Sequence, residues 1–146
     1  MLSIHLSFII GSIFLGGLAF IDYFTYNKKG GYIPSMLTTL FLILGFLFGY
    51  PESISSGILA LLIGLLLTDL DYWGGIADLK AFVGAGMLFP NLQLFCIFAG
   101  SMTIIGLIYK LIWKKALKNK KENVPFIPVI FISFIITLFT IILLFY

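Results

Sequence analysis

The sequence predicts an all-α, polytopic membrane protein of about six transmembrane helices joined by short loops. Three observations predict it. The 146 residues are 61% hydrophobic and only 10% charged, with a mean hydropathy of +1.15, far from the composition of soluble domains, about a quarter of whose residues are charged. Apolar runs such as Leu2 to Ile21, Leu92 to Ile112 and Val124 to Tyr146 are long enough to cross a hydrocarbon core of about 30 Å. Finally, all nine lysines can be placed on one side of such a membrane, as the positive-inside rule requires. The length fits one domain over residues 1–146.

The first span reads as Leu2 to about Phe24, ending in Ile21-Asp22-Tyr23. It lacks a basic leader and is too long for a cleaved signal peptide, so it is expected to stay in the protein. A polar loop from Tyr26 to Tyr32 follows. The second span starts near Ile33-Pro34, proline suiting a first helical turn, and runs to about Gly49. After the turn Tyr50-Pro51-Glu52-Ser53, a third span covers about Ile54 to Leu70. The stretch Thr68 to Lys80 is the most polar of the middle chain.

From Ala81 to Ile112 the chain is nearly unbroken apolar sequence. One helix over that run would be about 48 Å long, well beyond the bilayer core. Phe89-Pro90-Asn91 carries a turn signal inside it. The run therefore divides into a short fourth span (about Ile76 to Phe89) and a fifth (about Leu92 to Trp113). The sixth, about Val124 to Tyr146, follows the basic loop Lys114 to Lys121. Charge supports the division: with six spans, Lys28, Lys29, Lys80 and the Lys114–Lys121 loop share one face, and Lys110 can snorkel to it. That face is expected to be cytoplasmic, with both termini outside. The fourth span, about 21 Å long, is expected to begin within a protein-lined recess.

The basic charges flank apolar spans and include no Arg, so they orient the chain in a lipid bilayer and point to no nucleic-acid partner. Cys96 lies inside an apolar run, where a small buried residue is expected. His5 stands alone near the outer end of the first span, which makes no metal site, and no motif calls for a cofactor. Gly16-Gly17, Gly57 with Gly64, and Gly84-Ala85-Gly86 are small-residue patches that permit close helix packing.

Carboxylates near a membrane are costly and default to functional hypotheses. Glu52 and Glu122 sit in turns or loops and are expected to be solvated. Asp22, Asp69, Asp71 and Asp78 gather at the lysine-bearing face from the ends of three helices. Two such carboxylates brought close share a proton. One can activate a water while the other polarises a peptide carbonyl, a chemistry that needs only two Asp.

Gly74-Gly75-Ile76-Ala77-Asp78-Leu79-Lys80-Ala81-Phe82, followed by Met87-Leu88-Phe89-Pro90, resembles the second aspartate motif of the type IV prepilin peptidase family, in particular its archaeal preflagellin and prepilin branch. In that family a Gly-x-Gly-Asp motif with a Lys two residues on opens a membrane helix. Asp22, ahead of Ile33-Pro34, stands where the family has its first catalytic Asp, and Val124-Pro125-Phe126-Ile127-Pro128 resembles the start of its last helix. The resemblance implies an aspartic leader peptidase that acts on pilin-like or archaellin-like precursors at the cytoplasmic membrane face, with Asp22 and Asp78 as the water-activating pair. It also implies supporting roles for Gly75, Ala77 and Lys80. Lys80 would orient Asp78, meet an acidic group of the substrate, or simply snorkel. Asp69 and Asp71 read as solvated loop residues, with attraction of a basic leader as their functional alternative. Ala77 replaces the family's second Gly, the loop from Asp22 to Ile33 is longer, and the soluble domain of bacterial members is absent.

Two other readings use the same aspartates. In one, Asp22 and Asp78 are helix-end carboxylates paired with Lys28, Lys29 or Lys80. In the other, the chain is a small proton- or ion-coupled carrier, although the internal repeat common in carriers is not visible. A presenilin-type peptidase would need a Pro-Ala-Leu motif near the end, where this chain has Val124-Pro125-Phe126.

Overall fold

The helices coincide with the apolar runs of the chain, and Pro34, Pro90 and Pro125 fall in the links between them. The computed structural model describes the backbone over residues 2–29, 33–49, 53–70, 72–73, 75–117 and 124–145, with side chains at 6–25, 33–49, 53–70, 72–73, 75–113, 115 and 124–143. Among these residues there are six helices and no strand: α1 (Leu2–Lys29), α2 (Ser35–Phe48), α3 (Ser53–Asp69), α4 (Ile76–Gly86), α5 (Leu92–Leu117) and α6 (Ile127–Phe145). Gly74, Asp71, Glu52, Glu122, Lys118, Lys120 and Lys121 lie outside the described residues, as do the side chains of His5, Lys28, Lys29 and Lys114.

Several boundaries differ from the sequence expectation. α1 continues through Tyr26-Asn27-Lys28-Lys29, read above as loop, because no Gly or Pro interrupts the chain before Gly30. The Thr25 hydroxyl folds back onto the Ile21 carbonyl, at 2.6 Å, so it does not break the helix. α5 likewise carries its basic tail as helix to Leu117. Pro34 caps α2 from outside instead of occupying its first turn. α6 starts at Ile127, since Pro125 keeps Val124 out of helical geometry. α4 ends at Gly86, three residues short of the expected Phe89; Pro90 disfavours helix at Phe89, and Leu88 and Phe89 close tighter turns onto Ala85 and Gly86. Asn91 caps α5 by accepting the Leu94 N–H at 2.9 Å.

Two helices, over Leu6–Thr25 and Leu92–Trp113, are long and apolar enough to cross a membrane; Ser35–Phe48, Ser53–Asp69 and Ile127–Leu143 are apolar but shorter. At 11 residues, α4 is about 16 Å long. It is the central element, with every residue from Ala81 to Gly86 buried, and it packs on α2, α3, α6 and α1. Around it Phe8, Phe82, Phe89, Phe95, Phe98 and Phe134 form a continuous ring cluster with centroids 5.0–6.2 Å apart. The outside of the bundle carries exposed apolar side chains such as Ile13, Phe46, Leu62, Leu111 and Leu143. Cys96 is among the exposed residues, correcting its expected burial: α5 turns Phe95 and Phe98 inward and Cys96 outward.

The small-residue patches work as close-approach points, with one exception. A Cβ on Gly45 would stand 2.6 Å from the Gly84 carbonyl oxygen, so the α2 and α4 backbones touch. Gly57 receives Met87, just past the end of α4, Gly64 receives Leu79 of α4, Gly86 receives Ala60 and Phe95, and Gly16 receives Phe131. Gly17 faces open space. Gly45→Ala is therefore expected to destabilise the fold by about 1–3 kcal/mol through backbone displacement. Gly17→Ala is expected to leave stability unchanged or raise it by up to about 1 kcal/mol. Unfolding of the purified protein in mixed detergent micelles compares the two.

Candidate active site

Helix register decides which acidic residues meet. The Ser7 hydroxyl donates to the Phe48 carbonyl, at 2.9 Å, and Phe14 stacks on Phe41, so α1 and α2 run antiparallel. Phe41 also lies against Gly84, and Lys80 reaches Ser35 and Thr39, so α4 runs parallel to α2 and antiparallel to α1. Asp22 lies eight residues beyond Phe14 and Asp78 six before Gly84. Both therefore lie about 9–12 Å along their helices from the Phe41 contacts, toward the same end of the bundle. Both are buried, 5% and 7% exposed respectively. Asp69 ends α3 and is exposed. Asp71 lies outside the described residues.

Asp22 is on the side of α1 that faces α6. Its Oδ2 accepts the Ile127 N–H at 3.2 Å, a buried bond between residues 105 apart in sequence. Ile127 opens α6 and Pro128 follows it, so this N–H is one of the helix-start donors that no carbonyl of the helix can satisfy. A carboxylate there also meets the positive end of the helix dipole. Asp78 is the acidic residue of the first turn of α4. The turn into α4 is made by Gly75, whose φ of 149° and ψ of −162° only glycine adopts readily. Ala77 is already helical, so the conformational demand of the turn falls on Gly75.

The segment before Gly75 is anchored on three helices. Trp73 is buried, donates Nε1–H to the Thr68 hydroxyl at 2.7 Å, and packs on Phe82 and Phe126 with ring centroids 5.3 and 5.9 Å away. The Tyr72 hydroxyl donates to the Thr103 carbonyl at 2.7 Å; burial raises its pKa, which keeps it a donor. Its ring meets Phe126 edge-on at 5.2 Å and lies under Lys110 Nζ at 4.8 Å. Phe126 thus joins the turn that precedes Asp78 to the residue whose N–H Asp22 accepts.

Among the described residues Lys80 meets no carboxylate. Its ammonium donates to the Ser35 and Thr39 hydroxyls on α2, each at 2.9 Å. Residues 78 and 80 are two apart on a helix, so their side chains leave α4 on nearly opposite sides. Ser35, Thr39, Tyr72, Trp73 and the Ile127 N–H were not singled out from sequence. Only the last left a signal there, as the lone N–H ahead of Pro128 at a helix start. Among the described residues no three His, Cys, Asp or Glu side chains gather into a metal-binding group.

The chain matches no protein-family model, no curated protein and no solved structure.

The Asp22 bond predicts an asymmetry between substitutions. Asp22→Asn keeps an acceptor for the Ile127 N–H and is expected to leave stability within about 1 kcal/mol of wild type. Asp22→Ala orphans a buried donor and is expected to cost about 1–3 kcal/mol. Gly75→Ala should cost a similar amount through backbone strain, while Ala77→Gly should cost at most about 1 kcal/mol. Detergent unfolding of the four variants tests this order.

Proposed function

We propose that this chain is a six-span membrane aspartyl endopeptidase that removes short leader peptides from pilin-like or archaellin-like precursors at the cytoplasmic membrane face. The observation that carries the reading is that Asp22 and Asp78, buried carboxyls from distant parts of the chain, lie toward the same end of the bundle. That end also holds Lys80, Lys110, the end of α1 with Lys28 and Lys29, and the end of α5. The apolar outer surface supports a surrounding bilayer, and the lysine-bearing end supports a cytoplasmic orientation with both termini outside. The shortness of α4 fits a helix that starts below the membrane surface in a recess walled by protein. The resemblance of the Gly75–Lys80 and Asp22–Pro34 segments to type IV prepilin peptidases supplies the substrate class.

In this reading one carboxylate of the pair takes a proton from a water as its oxygen attacks the scissile carbonyl carbon. The other carboxyl, protonated, donates to the carbonyl oxygen. Collapse of the tetrahedral intermediate breaks the C–N bond. The carboxyl that gained the water proton passes it to the leaving amine, and the intermediate's hydroxyl proton restores the other. The Ile127 N–H holds one Asp22 oxygen, and in this reading the second exchanges the proton with the water. Gly75 sets the turn that delivers Asp78. Exposed Asp69 stands at the same end, where it would attract a basic leader.

Membranes carrying the protein, incubated with pilin-like and archaellin-like precursors, test the assignment. Wild type is expected to shorten at least one precursor, and Asp22→Asn and Asp78→Asn are each expected to slow cleavage by roughly 10²–10⁴-fold or more. Full cleavage by both variants would reject the assignment. Proton flux into liposomes without cleavage would replace it with the carrier.

A further inference from the structure

We propose that Lys80 is a positioning residue for Asp78, latching the start of α4 to the start of α2 through the Ser35 and Thr39 hydroxyls. The claim about position stands on the structure; its catalytic consequence rests on the reading of Asp78 as a catalytic carboxyl.

The α2–α4 interface is held differently at its two ends. At the end away from the aspartates it is backbone contact: a Cβ on Gly45 would stand 2.6 Å from the Gly84 carbonyl oxygen, and one on Gly49 2.7 Å from the Met87 carbonyl oxygen. At the aspartate end the helix itself is more exposed, with Ile33 just before it and Leu37 in its first turn as its apolar contacts with the core. Of its first six residues only Thr38 is buried, and Met36 is 82% exposed. No side chain caps its N-terminus either. The polar contact between the two helices there is the Lys80 ammonium, 2.9 Å from both Ser35 Oγ and Thr39 Oγ1.

The hydroxyls are arranged to accept. Thr39 donates its own proton to the Ser35 carbonyl at 2.8 Å, which leaves its oxygen lone pairs for the ammonium. Ser35 and Thr39 are one helical turn apart on α2, so they form a two-point seat for one Nζ. A partly buried ammonium needs such partners. Among the described residues Lys80 meets no carboxylate, so the seat on α2 is what keeps it from extending to water. α4 therefore has a fixed contact at Gly84–Met87 and a polar latch at Lys80. Asp78 lies in the turn that the latch controls.

Two readouts test this, one of them independent of catalysis. In a Cys96→Ser background, nitroxide labels at Met36→Cys and Ile76→Cys report the separation of the two helix starts, and labels at Leu47→Cys and Leu92→Cys report the opposite end; all four side chains are exposed. Lys80→Met, which keeps the aliphatic stem, and Ser35→Ala with Thr39→Val are each expected to broaden the 36–76 distance distribution and leave the 47–92 distribution unchanged. An unchanged 36–76 distribution, or broadening at both pairs, would overturn the latch.

The second readout is precursor cleavage. Lys80→Met is expected to lower kcat by roughly 10²-fold with KM little changed, and Lys80→Arg to recover part of that loss. Adding Lys80→Met to Ser35→Ala/Thr39→Val should cause no further loss, because both break one latch. Multiplicative losses, or a change confined to KM, would mean that Lys80 acts directly on substrate and would overturn the positioning role. If wild type cleaves no precursor, the peptidase reading fails while the label distances still decide the latch.

Discussion

The hydrogen bond from the Ile127 N–H to the Asp22 carboxylate joins the end of α1 to the start of α6, and the architecture of the lysine-bearing end follows from it. Both groups are costly to bury alone: the donor because Pro128 follows it at a helix start, the acceptor because a carboxylate inside an apolar bundle has few ways to be satisfied. Each is the other's solution. Phe126, the residue before Ile127, is thereby fixed, and it is the surface on which Tyr72 and Trp73 pack. Those two aromatics lie just ahead of Gly75, whose left-handed backbone turns the chain into α4 and sets Asp78 in its first turn. One buried bond and one aromatic cluster so connect two carboxyls that are far apart in sequence.

The second constraint is the shortness of α4. A helix of 11 residues buried among four neighbours can be surrounded closely only if its own side chains, or those facing it, are small. Gly84 and Gly86 on α4, Gly45 on α2 and Gly57 and Gly64 on α3 meet that demand. Phe82, Phe89, Phe95 and Phe98 fill the wider spaces between the helices. The arrangement leaves Leu, Ile and Phe side chains on the outer faces of the other helices, which is the pattern expected where lipid, not water, is the solvent.

Much of this was legible in the sequence, and for identifiable reasons. Apolar run length and Pro-Asn punctuation located six helices and the break at Phe89-Pro90-Asn91. The cost of a membrane carboxylate drew attention to Asp22, Asp69, Asp71 and Asp78, and the motif resemblance narrowed these to Asp22 and Asp78; the glycine patches named Gly57, Gly64, Gly84 and Gly86 as close contacts but not Gly45. Helix ends were less legible. Lys28, Lys29 and Lys114 to Leu117 include good helix formers, and no Gly or Pro separates either segment from the helix before it, so polarity alone read them as loop. Long-range partners were not legible at all: nothing local links Lys80 to Ser35 and Thr39, 45 and 41 residues away, or Asp22 to a backbone N–H 105 residues on. Cys96 was misplaced because an unbroken apolar run does not reveal which of its faces is inward.

The central claim is that Asp22 and Asp78 share one site, and chemical cross-linking tests it most directly. In a Cys96→Ser background, the pair Asp22→Cys/Asp78→Cys can be treated in native membranes with a short bifunctional thiol reagent and the digested chain analysed by mass spectrometry. Gly11→Cys/Leu88→Cys serves as a positive reference, since those positions touch. The account predicts an intramolecular bridge between residues 22 and 78 in yield comparable to the reference pair. A bridge at 11–88 with none at 22–78 would contradict it, because the two carboxyls would then be too far apart to act on one water.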